Sequence, residues 1–157
     1  LVIHSNRTSN LHLDAAGARV REVADLEFDS YLYPQGAWES GPFDLKITVQ
    51  GTRLLLRMDD INGNRIIRDL GVSLRPYRRL IRDYFLMLES YEQARRDGAY
   101  HKLEAIDAGR RSLHDEGAAY LQGRLADKLS MDFETARRLF ALFAMLCTDG
   151  RDPAFQR

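Results

Sequence analysis

The chain is poor in cysteine and proline, and neither sign of charge is in excess. Its 157 residues include one cysteine and four prolines, and 23 basic residues balance 23 acidic ones. One cysteine cannot form an intramolecular disulfide, which fits a reducing compartment. Zero net charge disfavours a strong global attraction to nucleic acid or to an anionic membrane, so any such attraction must come from a local patch.

Long apolar runs are also missing. The longest run extends from Leu139 to Cys147, far short of the roughly 20 residues that a membrane-spanning helix needs. No signal peptide is visible, so we expect a cytoplasmic protein. The length predicts a single domain over residues 1–157, with poorly ordered segments at 1–13 and 149–157.

Motifs for catalysis and metal binding are absent from the sequence. There is no Gly-x-Ser-x-Gly, no phosphate-binding glycine loop, no paired-cysteine motif and no His-Glu-x-x-His. His114 and Glu116 are two residues apart, so on a helix they point in roughly opposite directions and cannot share a metal ion. We therefore expect no metal site and no cofactor, and an enzyme is the less favoured class of protein.

Alternating apolar and polar residues predict a sheet in the first half of the chain. Phe43–Gln50 has a period of two, and Arg53–Met58 follows after a turn at Gly51-Thr52. Asn62-Gly63 is typical of a type I′ hairpin, and it leads to a third strand from Arg65 to about Leu70. These three strands predict an antiparallel meander.

Helical spacing dominates the rest of the sequence. Ser73 is placed to cap a first helix that ends at Asp97-Gly98, a second helix follows, and Asp132 is placed to cap the last. A further helix ahead of the sheet, from Asp14 to about Tyr33, is an option. The predicted fold class is therefore α+β, with a three-stranded antiparallel meander followed by three helices.

Polar residues interrupt the apolar stripe of the second predicted helix. At about 100° per residue, Arg110 lies near the middle of that stripe, with Asp107 and His114 one turn away on either side. Asp107 can reach Arg110 at i+3 and Arg111 at i+4, and Gly117 would let another backbone approach. Two interpretations are open. One is a polar pocket in which Arg110 binds an anion and His114 titrates, and the other is a structural Asp107–Arg110 ion pair.

Four arginines share the side of the first predicted helix opposite its apolar stripe, and we call this side the arginine face: Arg75, Arg78, Arg79 and Arg82. They crowd the helix N-terminus, where the helix dipole disfavours cations by roughly 0.3–1 kcal/mol each. An anion would resolve that conflict, because free N–H groups and guanidinium groups both bind phosphate. The alternative is a solvated face, partly compensated by Arg79–Asp83 and Arg82–Glu89 pairs.

Three segments of the chain match a known family in order: Ser73–Arg79 continuing to Tyr91, Glu104–Gly117, and Asp132–Phe140. Over roughly residues 42 to 147 the chain resembles uncharacterised protein family 0262, a group of small bacterial cytosolic proteins. The resemblance implies a bacterial cytosolic protein of about this length. It implies no activity, cofactor or catalytic residue.

Three hypotheses for function remain. The first is a small non-enzymatic binding or regulatory module that recognises a phosphate-bearing ligand or an acidic partner through the arginine face. Arg110, Arg111 and His114 would join this site if the two helices are adjacent. The second is an enzyme that acts on a phosphorylated substrate around Asp107, Arg110 and His114. The third is a structural homodimer or adaptor that uses Leu139–Cys147 as its interface.

Overall fold

The structure is a computed structural model that describes residues 2–6, 30–36, 42–60 and 62–147. The strands are β1 (Val2–Asn6), β2 (Leu32–Pro34), β3 (Phe43–Gln50), β4 (Arg53–Asp60), β5 (Arg65–Ser73) and β6 (Leu129–Met131). The helices are α1 (Arg78–Arg96), α2 (Tyr100–Leu125) and α3 (Phe133–Leu146), and a 3₁₀ turn, Arg75–Tyr77, precedes α1. The predicted α+β class is confirmed.

The main sheet has the strand order β1–β3–β4–β5. Its β3, β4 and β5 form the predicted antiparallel meander. The sequence analysis did not anticipate β1, which adds a fourth strand parallel to β3, with Ile3 opposite Leu45. The apolar run Leu1-Val2-Ile3 is too short to predict a strand, and parallel pairing depends on a partner distant in sequence.

The turn between β4 and β5 is longer than predicted. β4 ends at Asp60 and β5 begins at Arg65, so the connection is not the two-residue type I′ loop that Asn62-Gly63 suggested. Asp60 Oδ1 accepts hydrogen bonds from the N–H groups of Asn62 and Asn64, both at 2.8 Å. By accepting these two hydrogen bonds, the Asp60 carboxylate stabilises the loop that connects β4 to β5.

The option of a helix from Asp14 to about Tyr33 falls mostly outside the described residues, as does the segment 149–157. Within them the end of that span is not helical, because Leu32–Pro34 forms β2 and pairs antiparallel with β6. Proline disfavours the helical conformation of the residue before it and offers no N–H, so the chain is extended at Tyr33 and Pro34.

The hydrophobic core is formed by one face of the sheet and the apolar sides of the helices. The buried residues alternate along β3 and β4: Phe43, Leu45, Ile47, Val49, Leu54, Leu56 and Met58. They belong to one hydrophobic cluster that also contains the apolar residues of α1, α2 and α3. Each fully buried side chain of this kind contributes roughly 1.5–3 kcal/mol, so the alternation fixes which face points inward.

The last helix, α3, lies inside the core. It begins where predicted, because Asp132 Oδ1 accepts the Thr135 N–H at 2.8 Å as an N-cap. Nine of its 14 residues are buried: Thr135, Ala136, Leu139, Phe140, Ala141, Leu142, Phe143, Ala144 and Leu146. Phe133, at the start of α3, is exposed, but Leu139–Cys147 is buried except at Met145 and therefore offers little area to a second copy.

Candidate functional site

A 3₁₀ turn joins β5 to α1 and sets the start of the arginine face. The helix therefore begins at Arg78 and not directly after Ser73, whose Oγ accepts only a long contact of 3.4 Å from the Arg75 N–H. The Tyr77 N–H donates to the Leu74 carbonyl at 3.0 Å, and the Arg78 N–H donates to the Arg75 carbonyl. Two backbone donors at this end are therefore already used, and an anion would be bound mainly by guanidinium groups.

The four arginines lie around the start of α1 as the spacing predicted. Arg75, Arg79 and Arg82 are exposed, and Arg78 is half-buried. The first turn of α1 carries no acidic residue to offset the helix dipole. The local conflict between cations and the positive end of the helix is therefore present in the folded protein.

Acidic residues already engage two of these arginines. Arg79 contacts Asp83 at 3.4 Å, and it also pairs with Glu116 on α2. Arg82 Nε lies 3.5 Å from Asp83 Oδ1. The Arg82–Glu89 pair suggested by the sequence stays a prediction. The Arg79 and Arg82 side chains are 59% and 60% exposed, and surface pairs of this kind contribute only about 0–1 kcal/mol each. Both guanidinium groups can therefore exchange these partners for another anion.

Asp107 is bound by both arginines that follow it. Its Oδ1 accepts from Arg110 Nη2 at 2.6 Å, and its Oδ2 accepts from Arg111 Nε at 2.9 Å. Hydrogen bonds from Arg110 and then Arg111 lower the pKa of Asp107. With both carboxylate oxygens occupied, this cluster matches the structural interpretation, although it is only partly buried: the Asp107 side chain is 24% exposed and that of Arg110 is 36% exposed.

His114 lies between aromatic rings in the core. It is 8% exposed, its imidazole stacks on Tyr84 with 5.3 Å between ring centroids, and it meets Phe140 edge-on at 6.1 Å. Burial, followed by the charges of Arg110 and Arg137, lowers the pKa of His114 from 6.5 to about 4. An acid–base catalyst needs a pKa near the working pH and contact with substrate. The position of His114 gives the enzyme hypothesis no support.

Gly117 allows the close packing around His114. A Cβ atom at position 117 would lie 2.4 Å from two ring atoms of Phe140 on α3. The sequence suggested that another backbone approaches this glycine, and the structure places an aromatic ring there instead. Gly117 therefore belongs to the packing of α2 on α3.

The helical hairpin of α1 and α2 brings the arginine face and the Asp107 cluster onto adjacent helices, yet at different levels. Arg79 contacts Glu116, whereas Met87 lies against Gly109, where a Cβ atom would be 2.9 Å from Met87 Cε. Arg110 is thus level with a part of α1 about four residues beyond Arg82, a separation of about 6 Å along the helix. By the same register His114 is level with Arg82, but it is buried in the core. The structure therefore does not gather Arg110, Arg111 and His114 into the arginine face.

A second group of polar side chains at the start of α1 was missed by the sequence analysis. The Tyr77 ring meets Tyr120 edge-on with 4.6 Å between centroids, and Arg124 follows Tyr120 by one turn of α2. The buried Tyr77 hydroxyl has no hydrogen-bond partner among the described residues. The available signal was the hydroxyl itself, because tyrosine on an apolar stripe normally finds a partner for that group.

The outer face of the sheet carries a shallow groove. Its volume is about 220 Å³, and it is lined by Lys46, Thr48, Gln50, Leu55, Arg57 and Asp69. Its Arg57 is paired with Asp69 at 2.9 Å. Within the described part of the chain, no three His, Cys, Asp or Glu side chains are grouped as metal ligands would be. Of the helices described, none has the length and apolar character to span a bilayer.

The sequence is similar to a set of bacterial proteins that share one family model. The model of the Uncharacterised protein family (UPF0262) matches residues 2–149, a wider span than the resemblance noted above. A UPF0262 protein of Rhodopseudomonas palustris strain HaA2 is 45% identical over 133 residues, which cover 85% of this chain and 80% of that protein.

Relatives from other genera have similar coverage. A UPF0262 protein of Nitrobacter winogradskyi is 44% identical over 85% of this chain and 78% of its own length. A UPF0262 protein of Brucella canis is 42% identical over 85% of this chain and 82% of its own length. No solved structure matches the chain. The names of these relatives state no ligand and no reaction.

Proposed function

We propose a function from geometry for this chain, which belongs to the Uncharacterised protein family UPF0262. The protein is a small non-enzymatic binding or regulatory module that recognises a phosphate-bearing ligand or an acidic partner surface through the arginine face. The observation that carries this proposal is the crowding of Arg75, Arg78, Arg79 and Arg82 around the start of α1, whose first turn has no acidic residue.

The physical argument is electrostatic and local. A guanidinium group presents paired donors that match two oxygens of a phosphate or carboxylate. Arg79 and Arg82 are more than half exposed, so binding them requires little desolvation. The formal net charge of the chain is zero, so attraction acts at this patch and not over the whole surface. Binding of this kind weakens steeply with added salt.

The proposal also includes a cellular location, the bacterial cytoplasm. The relatives named above are bacterial, and the single cysteine, Cys147, is a buried free thiol, which suits the reducing bacterial cytoplasm. A homodimer stays a prediction. Because Leu139–Cys147 is largely buried within one chain, the dimer interface would have to lie on another surface.

A thermal-shift screen tests the proposal. Nucleotides, phosphosugars, inorganic phosphate and short RNA are each added at low and at high salt, because a ligand that binds the native state raises Tm by mass action. We expect at least one phosphate compound to raise Tm at low salt and to lose this effect at high salt.

The informative variant is Arg75→Gln combined with Arg82→Gln. These two side chains are exposed, and among the described residues neither forms an ion pair with α2, unlike Arg79. The matched control is Arg95→Gln combined with Arg96→Gln, which removes the same charge from the last turn of the same helix. The proposal predicts that the ligand-induced shift is lost in the first variant and kept in the second. Equal shifts in both variants would contradict it, and the absence of a shift with every phosphate compound would overturn its phosphate-bearing ligand.

A further inference from the structure

The outer face of the main sheet places two cations side by side. Lys46 on β3 lies directly opposite Arg57 on β4 in the antiparallel register, and both side chains line the groove of about 220 Å³. Like charges opposite each other on neighbouring strands destabilise a sheet. A local rule that is broken in this way points to a functional site. An anion bound between the two side chains would offset their repulsion.

One of these cations is held in place and the other is available. Arg57 Nε donates to the Arg68 carbonyl at 3.2 Å, and Arg57 Nη2 donates to Asp69 Oδ1 at 2.9 Å. These two bonds orient the guanidinium group and leave its Nη1 without a hydrogen bond to any described residue. Lys46 is exposed and forms no ion pair within the part of the chain that the structure describes. An incoming anion thus meets one pre-organised donor and one unpaired ammonium group.

The rest of the groove indicates which anion fits. Asp69 offsets one of the two positive charges, so the lining residues carry an excess of one positive charge, which suits a monoanion better than a phosphate dianion. Leu55 lies two residues before Arg57 on the same face of β4, and its half-buried side chain gives an apolar surface beside the cations. The groove is smaller than the roughly 300–1,000 Å³ of pockets for drug-sized ligands, so its ligand must be compact.

We propose that this groove binds a small monocarboxylic acid with an apolar body. The carboxylate accepts hydrogen bonds from Lys46 Nζ and Arg57 Nη1, and the apolar body covers Leu55. The Thr48 hydroxyl and the Gln50 amide, further along β3, donate to a polar substituent on that body. This site goes beyond the proposed function and does not depend on it, because its lining residues lie on β3, β4 and β5 and the arginine face lies at the start of α1.

An NMR titration of the full chain with benzoate, at constant ionic strength, tests the site. We expect the backbone amide signals of Lys46, Thr48, Leu55 and Arg57 to shift together with a single Kd. Benzamide has nearly the same shape without the charge, so its Kd should be at least about tenfold higher. Acetate keeps the charge but leaves Leu55 uncovered, so it should also bind more weakly than benzoate.

The informative variant is Lys46→Gln, which should raise the Kd of benzoate by about tenfold because it removes a charged donor to the carboxylate. Without ligand, this variant should be at least as stable as wild type, since it also removes the like-charge pair with Arg57. Lost binding would then not reflect lost folding. The matched control is Lys102→Gln, which removes the same charge from an exposed position on α2 and should leave Kd unchanged.

The outcomes also separate this site from the arginine face. If benzoate shifts no amide signal of β3 or β4, or if benzamide binds as tightly as benzoate, the site is overturned. Equal Kd values for wild type and Lys46→Gln would likewise overturn it. If inorganic phosphate binds these strands more tightly than benzoate does, the carboxylate assignment is wrong. Arg75→Gln/Arg82→Gln should leave the Kd of benzoate unchanged, and a higher Kd in that variant would place the carboxylate on the arginine face and contradict the groove.

Discussion

Single residues in this protein have effects that depend on where the fold places them, and His114 is the clearest case. The pKa of its imidazole falls from 6.5 to about 4 on folding. Above pH 6.5 the imidazole is neutral in both states, and below that value the unfolded chain takes up a proton that the folded chain excludes. Stability should therefore fall as pH decreases from 6.5 to about 4, by a total on the order of 3 kcal/mol.

Urea denaturation of wild type and His114→Phe at several pH values checks this sign. Other titrating groups are common to both proteins, so the difference between the two curves isolates His114. The wild type should lose stability relative to the variant over this pH range. Parallel curves for wild type and His114→Phe would show that the imidazole stays accessible to protons.

Gly117 and Gly123 lie on the same helix and should respond to alanine in opposite directions. At position 117 the new Cβ would be 2.4 Å from ring atoms of Phe140, so Gly117→Ala should destabilise the fold by roughly 1–3 kcal/mol through overpacking. At position 123 nothing lies within 4 Å, so Gly123→Ala should stabilise by up to about 1 kcal/mol through helix propensity. Urea midpoints of the two variants measure both effects. A stabilising Gly117→Ala would mean that Phe140 can move away.

At the scale of elements, local chemical signals marked the boundaries that could be predicted. Asp97-Gly98 ends α1, with Gly98 at a φ of 65°, and Asp132 caps α3. The alternation of Phe43–Gln50 identified its buried face. By contrast, β1 and β2 exist through pairing with β3 and β6, which no local pattern reveals. The 3₁₀ turn before α1 was likewise missed, because Ser73 looks like a cap until the path of β5 is known.

The cap of α3 provides a test at this scale. Asp132→Ala should lower the free energy of unfolding by about 1 kcal/mol, because the Thr135 N–H then loses its acceptor at the start of a core helix. Asp132→Asn keeps an acceptor oxygen at the same place, so it should retain most of the stability. Thermal or urea unfolding of both variants gives the comparison. Equal losses in the two would assign the effect to charge at the helix N-terminus instead of to the hydrogen bond.

For the whole molecule, the sequence predicted that four arginines lie near the start of a helix, but it did not predict their partners. Arg79 and Arg82 are exposed on α1, whereas Arg75 lies in the 3₁₀ turn and Arg78 is half-buried. The contacts that decide their availability are between elements, such as Arg79 with Glu116. Burial of His114 against Tyr84 and Phe140 likewise requires the arrangement of three helices. Such contacts depend on the register between elements, which the pattern of a single helix does not contain.

The pairing of β2 with β6 also affects when the protein can fold during synthesis. The Tyr31 N–H donates to Thr135 Oγ1 at 2.9 Å, a contact between residues 104 positions apart. The meander and the α1–α2 hairpin consist of sequence neighbours and can form as soon as they leave the ribosome. The pairing of β2 with β6 and the hydrogen bond from Tyr31 to Thr135 cannot form until residues near 135 have emerged. Until then, the segment around Leu32 lacks its partner strand and depends on nearly complete translation for its place in the fold.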